Sequence, residues 1–251
     1  MSLCLSGKFL FNKIKQMQIA LSQQLREGTK KSHTMAENTG FISCFLKGVV
    51  EKSSYGKLLT DLYFVYSAME EQIERLSAEG HPIISSINFK ELYRKSALEN
   101  DLSFYFGSDW ESVIEISKSA QVYVERINQV ALDQPELLIG HHYSRYIGDL
   151  SGGQLLKKIT QKALNLKTEE GLSFYIFKDV KDEKDFKKSY RERINSLEIK
   201  QEMADMIVEE ANKAFKYNMN MFKELEGSLI LAIGKVLFGY VTKNIKKGST
   251  E

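Results

Sequence analysis

The sequence predicts an all-α protein built as a single domain. Apolar residues recur every three or four positions along most of the chain, and only 2 prolines and 16 glycines interrupt it. Hydrophobic residues make up 43% of the 251 residues, which is enough to form a sizeable core. A β-sandwich or an α/β protein with many turns normally needs more turn residues than this. No repeat, low-complexity tract or linker divides the series.

The first long helix is predicted after residue 50. Ser53 and Ser54 are candidate N-caps, and Gly80 followed by Pro82 predicts its end. Its apolar face is formed by Tyr55, Leu58, Leu62, Tyr66, Met69, Ile73 and Leu76.

The helical pattern continues towards the C-terminus. Pro135 stands where a first-turn proline belongs and opens a further long helix. Residues 168–180 are expected to be irregular. The other predicted helices cover residues 92–106, 109–131, 182–197 and 200–226.

Residues 21–227 are expected to form the main domain, and the two ends of the chain are expected to lie outside it. Residues 1–20 are expected to be an N-terminal extension, either disordered or targeting. The alternative is that the start has been chosen too far upstream and that translation begins at Met17. Residues 228–251 are expected to form a C-terminal helix and a basic tail. Their apolar run contains Lys235 and is too short to span a membrane, so a helix packed on the body is favoured over one on a membrane surface. We therefore expect a soluble protein without a transmembrane anchor.

Charge and composition narrow the function classes. The formal net charge is +2, which argues against nucleic-acid binding by a strongly basic domain. Two cysteines cannot form a disulfide framework, and they favour a reducing compartment. With only 4 histidines in the chain, any metal or cofactor site depends on few residues.

The most promising histidine is His33. Arg26, Lys30, His33 and Glu37 follow at spacings of four, three and four, which places them on one face of a helix. Such a face offers an imidazole to a metal, two cations to acidic groups and a carboxylate that orients the imidazole. The alternative is a solvated charged face with an incidental histidine.

A second feature is the glycine-rich stretch inside the helix opened by Pro135. Gly148, Gly152 and Gly153 lie within six residues, and each interior glycine costs a helix about 0.5–1 kcal/mol relative to alanine. Either a flat ligand lies across the backbone here, or another helix crosses closely. Asp149 is the one carboxylate of the stretch, where it could order water next to a ligand.

A third feature adds positive charge. Lys187 and Arg191 lie one helical turn apart, and such a pair suits carboxylates.

Taken together, four motifs resemble the heme oxygenase family. They are LREGTKKSHTMAEN at 25–38, HHYSRYIGDLSGGQ at 141–154, FKKSYR at 186–191 and AFKYNMNMF at 214–222. The resemblance covers about residues 20 to 240 in order. The segment ELEGSLI at 224–230 looks most like the soluble cyanobacterial and plastid type.

The resemblance implies a single-domain helical bundle that holds heme b, as cofactor and substrate, between a proximal helix and a glycine-kinked distal helix. His33 would be the axial ligand of the iron, with Glu37 orienting its imidazole. The heme propionates would be bound by Arg26, Lys30, Lys187 and Arg191.

On the distal side, the resemblance implies that Gly148 and Gly152 let the helix lie close over the porphyrin. Asp149 would hold water and deliver protons to the oxygen. Tyr63, Tyr143 and Arg145 would extend that network, and Phe215 and Asn218 would line the pocket. The reaction implied is opening of the ring at the α-meso carbon with O2 and external electrons, which yields biliverdin IXα, carbon monoxide and ferrous iron.

The sequence has no flavin or nicotinamide motif, so the electrons must come from outside. The resemblance implies reduced ferredoxin, and a basic patch near the heme edge would suit such an acidic partner. It also implies that biliverdin feeds bilin reductases, in a cyanobacterial cytoplasm or a plastid stroma.

The sequence alone leaves three points open. His141 and His142 form an unusual pair, for which a role other than metal ligand is favoured. A heme carrier would use the same His33 and basic residues but would not need Asp149. A di-metal centre on a related helical fold is disfavoured because the sequence contains no Glu-x-x-His motif.

Overall fold

A computed structural model describes the backbone of residues 19–247 and the side chains of residues 19–226. All regular secondary structure in the described range is helical, as the sequence predicts. The predicted N-terminal extension lies, up to residue 18, outside the described residues, as do residues 248–251.

Ten α-helices follow one another along the described chain. Their bounds are α1 Leu21–Glu37, α2 Gly40–Leu46, α3 Lys52–Ala78, α4 Pro82–Ser86, α5 Lys95–Phe106, α6 Lys118–Asp133, α7 Leu138–His142, α8 Gly148–Ala163, α9 Glu183–Asn195 and α10 Gln201–Lys247. Short 3-10 turns lie at Lys90–Leu92, Trp110–Ser112, Pro135–Leu137 and Ser173–Tyr175. A π-helical turn, Tyr143–Ile147, joins α7 directly to α8. We call residues 138–163, which comprise α7, the π turn and α8, the glycine helix.

The predicted helix ends are only partly correct. Helix α3 ends where expected, since Gly80 has a φ of 78° that favours glycine, but it begins at Lys52 with Glu51 as N-cap, before the predicted serines. The prediction that a helix covers 109–131 is wrong at its start. Helix α6 begins at Lys118, because the Ser117 side chain caps it by accepting a hydrogen bond from Ala120 N.

Helix α3 lies at the centre of the core. Its Glu70 carboxylate accepts hydrogen bonds from Arg94 N (2.6 Å), Lys95 N (3.3 Å) and the Tyr146 hydroxyl (3.0 Å). This one buried group therefore links α3 to the start of α5 and to the glycine helix. Burial raises the pKa of Glu70 to about 7.

Helix α10 is one continuous helix from Gln201 to Lys247, so the prediction that it ends at residue 226 is wrong. Gly227 by itself costs the helix only about 1 kcal/mol, which is too little to break it. The expectation that residues 228–251 pack on the body concerns side chains outside the described range.

The same helix holds two other helices at neighbouring residues. Asn212 Nδ2 donates to Gly28 O of α1 (3.1 Å), and the Ser144 hydroxyl of the glycine helix donates to Ala211 O (3.3 Å). A Cβ atom added at Gly140 would lie 2.8 Å from Ala211 N, so the glycine helix crosses α10 in close contact. Helix α10 thereby fixes α1 and the glycine helix relative to each other.

Among the helices in the described residues, none is both long enough and apolar enough to cross a membrane.

Candidate active site

A cavity of about 890 Å³ lies between α1 and the glycine helix. Its volume is within the usual range of small-molecule and cofactor sites, roughly 300–1,000 Å³. The lining residues are Arg26, Glu27, Thr29, Lys30, His33, Thr34, Glu37, Tyr143, Ser144, Ile147, Gly148, Ser151, Gly152 and Phe215. Eight of these were predicted from the sequence as site residues: Arg26, Lys30, His33, Glu37, Tyr143, Gly148, Gly152 and Phe215.

The α1 wall presents the predicted stripe to the cavity. His33 is 55% exposed, its Nδ1 lies 3.6 Å from Glu37 Oε2, and its ring packs edge-on against Phe215 with centroids 5.8 Å apart. The carboxylate and the phenyl ring together restrict the orientation of the imidazole. Arg26 and Lys30 line the same wall and add positive charge beside it.

The opposite wall is bare backbone at two glycines. A Cβ atom added to Gly148 or to Gly152 would meet no atom within 4 Å beyond the neighbouring backbone of its own helix, so these positions face open cavity. Gly153 differs, because its Cβ would contact the Tyr175 side chain at 3.6 Å. Close helix crossing, the other explanation of the glycines, applies to Gly140 rather than to Gly148 and Gly152. The site thus leaves room for a flat ligand against the helix backbone.

Asp149 follows Gly148 and points into a buried polar network. The Tyr66 hydroxyl donates to Asp149 Oδ2, and Arg145 Nη2 lies 3.3 Å from Asp149 Oδ1. Arg145 also donates from Nε to the Tyr66 oxygen (3.1 Å) and from Nη1 to Asn218 Oδ1 (2.6 Å). Burial raises the pKa of Asp149 well above its ordinary value. Burial therefore favours the protonated form of the carboxyl, as a proton donor requires.

The structure does not bring every predicted residue to the site. Tyr63 packs edge-on against Phe64 and Trp110, with ring centroids 5.5 and 5.1 Å apart. The hydrogen bonds of the Asp149 network join Tyr66, Arg145 and Asn218 and do not include Tyr63. The tyrosine of that network is Tyr66, which the prediction missed. Its position on the apolar face of the predicted α3 pattern was the available signal. Asn218 holds Arg145 instead of lining the cavity.

Two further cations come from α9. Lys187 Nζ lies 3.5 Å from the hydroxyl of Ser151, which lines the cavity. Burial raises the pKa of the lining residue Tyr143, and the positive charges of Arg26 and Arg191 offset part of that rise. Arg191 therefore lies close enough to act on a residue of the cavity wall. Helices α1 and α9 therefore place four cations near residues 143–152 of the glycine helix.

The other three histidines lie away from the cavity lining. His141 and His142 are fully buried: His141 Nε2 lies 3.1 Å from Glu210 Oε1, and His142 Nδ1 lies 3.0 Å from the Tyr190 hydroxyl. His81 caps α4 by accepting a hydrogen bond from Ile84 N. Within the described chain, no three His, Cys, Asp or Glu residues group so as to hold a metal ion.

Comparison with known proteins decides the family. The model of the heme oxygenase family matches residues 19–224. The chain belongs to the heme oxygenase family. It is 57% identical to Heme oxygenase 1 of Synechocystis sp., over 94% of its own length and 97% of that relative's. It is also 49% identical to the heme oxygenase of the red alga Porphyra purpurea, over 89% and 94% of the two chains.

Solved structures agree with this assignment. The crystal structure of heme oxygenase-1 from Synechocystis sp. in complex with heme superposes with a TM-score of 0.83 at 58% identity. The alignment covers 89% of this chain and all of that one. Heme oxygenases are heme-degrading oxidoreductases that convert heme, their cofactor and substrate, into biliverdin, carbon monoxide and iron.

Proposed function

We propose that this heme oxygenase binds heme b in the cavity between α1 and the glycine helix, with His33 as the axial ligand of the iron. The observation that carries the proposal is the pairing of His33 on one wall with the bare backbone of Gly148 and Gly152 on the other. One imidazole suffices, because the porphyrin supplies four nitrogens of its own and an open opposite face leaves room for O2. Glu37 beside His33 Nδ1 orients the ring.

The proposed orientation of the porphyrin follows from the cations. Arg26, Lys30, Lys187 and Arg191 bind the two propionates, because guanidinium and ammonium groups suit carboxylates. A fixed propionate edge determines which meso carbon faces the Asp149 network. We propose that this carbon is the α-meso carbon, so that the product is biliverdin IXα.

Bound heme supplies the iron that binds O2 and the ring that is oxidised. Asp149 holds distal water by its carboxyl and donates the proton that the oxygen chemistry needs. Arg145 and Tyr66 keep the carboxyl in place. Tyr143, on the cavity wall, extends the network towards the α9 cations.

The remaining parts of the proposal concern the chain's partners and extent. We propose reduced ferredoxin as electron donor, docking near the basic edge of the cavity, and bilin reductases as consumers of the product. The proposed location is the cyanobacterial cytoplasm or the plastid stroma. Residues 21–227 are the proposed catalytic domain, flanked by an extension at 1–20 and by a C-terminal helix and basic tail at 228–251.

One experiment separates catalysis from mere heme binding. The protein is incubated with hemin, reduced ferredoxin and O2, and biliverdin is followed by its visible absorption. We expect biliverdin from the unaltered chain and none from Asp149→Ala, which still binds hemin. A heme carrier would bind hemin in both forms and produce biliverdin in neither.

A further inference from the structure

His142 is a buried side chain with no part in the proposed mechanism. Its ring is fully buried, and Nδ1 is joined to the Tyr190 hydroxyl at 3.0 Å, whereas Nε2 has no hydrogen-bond partner in the structure. Desolvation lowers its pKa to about 3, so the ring is neutral. Burying a neutral imidazole with one nitrogen unpaired costs free energy that an apolar side chain would not cost. A role of His142 in positioning its one hydrogen-bond partner, Tyr190, would account for this cost.

The ring lies at a structural junction. His142 is the last residue of α7 and immediately precedes the π turn. Its ring packs against Tyr146 and Phe89, with centroids 4.5 and 6.1 Å apart, and lies nearly parallel to Tyr190 with an interplanar angle of 9°. It thus joins the glycine helix to α9 at the point where the helical geometry changes.

Tyr190 in turn orients α9. It is one of two fully buried residues that the described structure shows on that helix, the other being Ile194. Arg191 is its immediate neighbour, and Lys187 lies three residues before it. A rotation or shift of Tyr190 therefore moves both cations relative to the cavity.

The contacts between α9 and the glycine helix differ in strength. The bond of Tyr190 with His142 is buried, whereas that of Lys187 with Ser151 is exposed and 3.5 Å long. A buried bond is the harder to replace by water, because an unpaired buried hydroxyl costs about 1–3 kcal/mol. The buried bond is thus the one that holds the two helices in register.

We propose that the hydrogen bond between His142 and Tyr190 positions α9 against the glycine helix, and thereby places Lys187 and Arg191 where they bind the carboxylates of the porphyrin. His142 is then a positioning residue for heme orientation. The inference rests on the proposed function, since it takes Lys187 and Arg191 to contact the heme propionates.

The test is a mutant cycle on hemin affinity, measured by absorption titration. His142→Leu removes the polar ring atoms and Tyr190→Phe removes only the hydroxyl. Each is expected to raise the Kd for hemin about tenfold, as the loss of one charge-assisted contact would. In a Lys187→Ala/Arg191→Ala background, neither substitution should change the Kd further. An equal effect in both backgrounds would overturn the proposal.

Two controls exclude a general loss of stability. Tyr105→Phe removes a tyrosine hydroxyl that also makes one hydrogen bond, to Gly171 O (3.1 Å), but on a different helix, and it should leave the Kd unchanged. His142→Asn keeps a hydrogen-bonding atom near the position of Nδ1 and should restore most of the affinity. A lower Tm for His142→Leu and Tyr190→Phe with an unchanged Kd would show a structural role only and would refute the inference.

Product analysis supplies an independent readout. If the cations are displaced, His142→Leu and Tyr190→Phe should release a larger share of biliverdin isomers opened at other meso carbons. Unchanged isomer ratios, together with an unchanged Kd, would contradict positioning. If the unaltered chain makes no biliverdin, the proposed function fails, but the affinity cycle still decides whether His142 acts through Lys187 and Arg191.

Discussion

The Tyr66 hydroxyl of α3 donates a hydrogen bond to Asp149 of the glycine helix, across 83 residues of sequence. Arg145 contacts both groups, so the three largely buried side chains are joined to one another by hydrogen bonds. The only acidic residue of the glycine-rich stretch is thereby held from the core side, while the neighbouring Gly148 faces the cavity.

This contact predicts different roles for two tyrosines on α3. Tyr66→Phe removes the hydroxyl from Asp149 and is expected to slow biliverdin formation about tenfold, as the loss of one hydrogen bond that positions the carboxyl would. Tyr63→Phe is the matched control, because Tyr63 packs on Trp110 and should retain full activity. Steady-state rates at saturating hemin provide the measurement, and a slower Tyr63→Phe variant would contradict this assignment.

Removal of His33 should change the spectrum and spare the fold. The imidazole is 55% exposed, so His33→Ala creates no buried cavity and should leave the Tm nearly unchanged. We expect the ferric hemin spectrum to lose its imidazole signature and added imidazole to restore it. His81→Ala is the control, since His81 caps α4 outside the cavity. An unaltered spectrum for His33→Ala would eliminate this residue as ligand.

A large side chain at Gly148 tests whether the cavity wall is open at that position. Gly148→Leu projects into open cavity, so the protein without heme should be as stable as before or more so by about 0.5–1 kcal/mol, the usual cost of a helical glycine. Hemin affinity should fall about tenfold or more because the side chain occupies ligand space.

The matched control for this substitution is Gly140→Ala. Its Cβ would lie 2.8 Å from backbone atoms of α10, so it should lower the free energy of unfolding by about 1–3 kcal/mol, the typical cost of overpacking. Chemical denaturation without heme distinguishes the two glycines, and equal destabilisation by both substitutions would argue against an open wall at Gly148.

Glu70 predicts a pH dependence of stability. Its pKa rises from the ordinary 4.5 to about 7 in the folded protein, so the protonated form is favoured by folding. The stability it contributes is present below pH 4.5 and is lost as the pH rises through 7. Relative to Glu70→Gln, the wild type should lose about 3 kcal/mol of unfolding free energy over this range. Urea denaturation at pH 4.5 and pH 8 tests this, and parallel pH profiles would contradict it.

The sequence predicts the helices well where one face is apolar throughout, as in α3. It fails at the start of α6, where Val113 and Ile116 continue the apolar spacing without forming a helix. The reason is a tertiary contact, because Asp61 accepts hydrogen bonds from both the backbone and the hydroxyl of Ser117. A partner 56 residues away cannot be inferred from local periodicity.

In the site, too, local spacing predicts some features and tertiary contacts determine the others. The spacing of the α1 stripe was sufficient to place Arg26, Lys30, His33 and Glu37 on one cavity wall. Tyr66 stands on the predicted apolar face of α3 and Tyr63 does not, but which of the two meets Asp149 depends on the rotation of α3 about its axis relative to the glycine helix. Rotations of this kind are set by packing across the core, for example by the Tyr146 hydroxyl on Glu70.

Both cavity walls are attached to adjacent residues of α10, α1 through Asn212 and the glycine helix through Ala211. The separation of the two cavity walls is therefore determined by a single turn of a third helix, and a substitution in that turn can change the width of the cavity without replacing any residue proposed to bind heme.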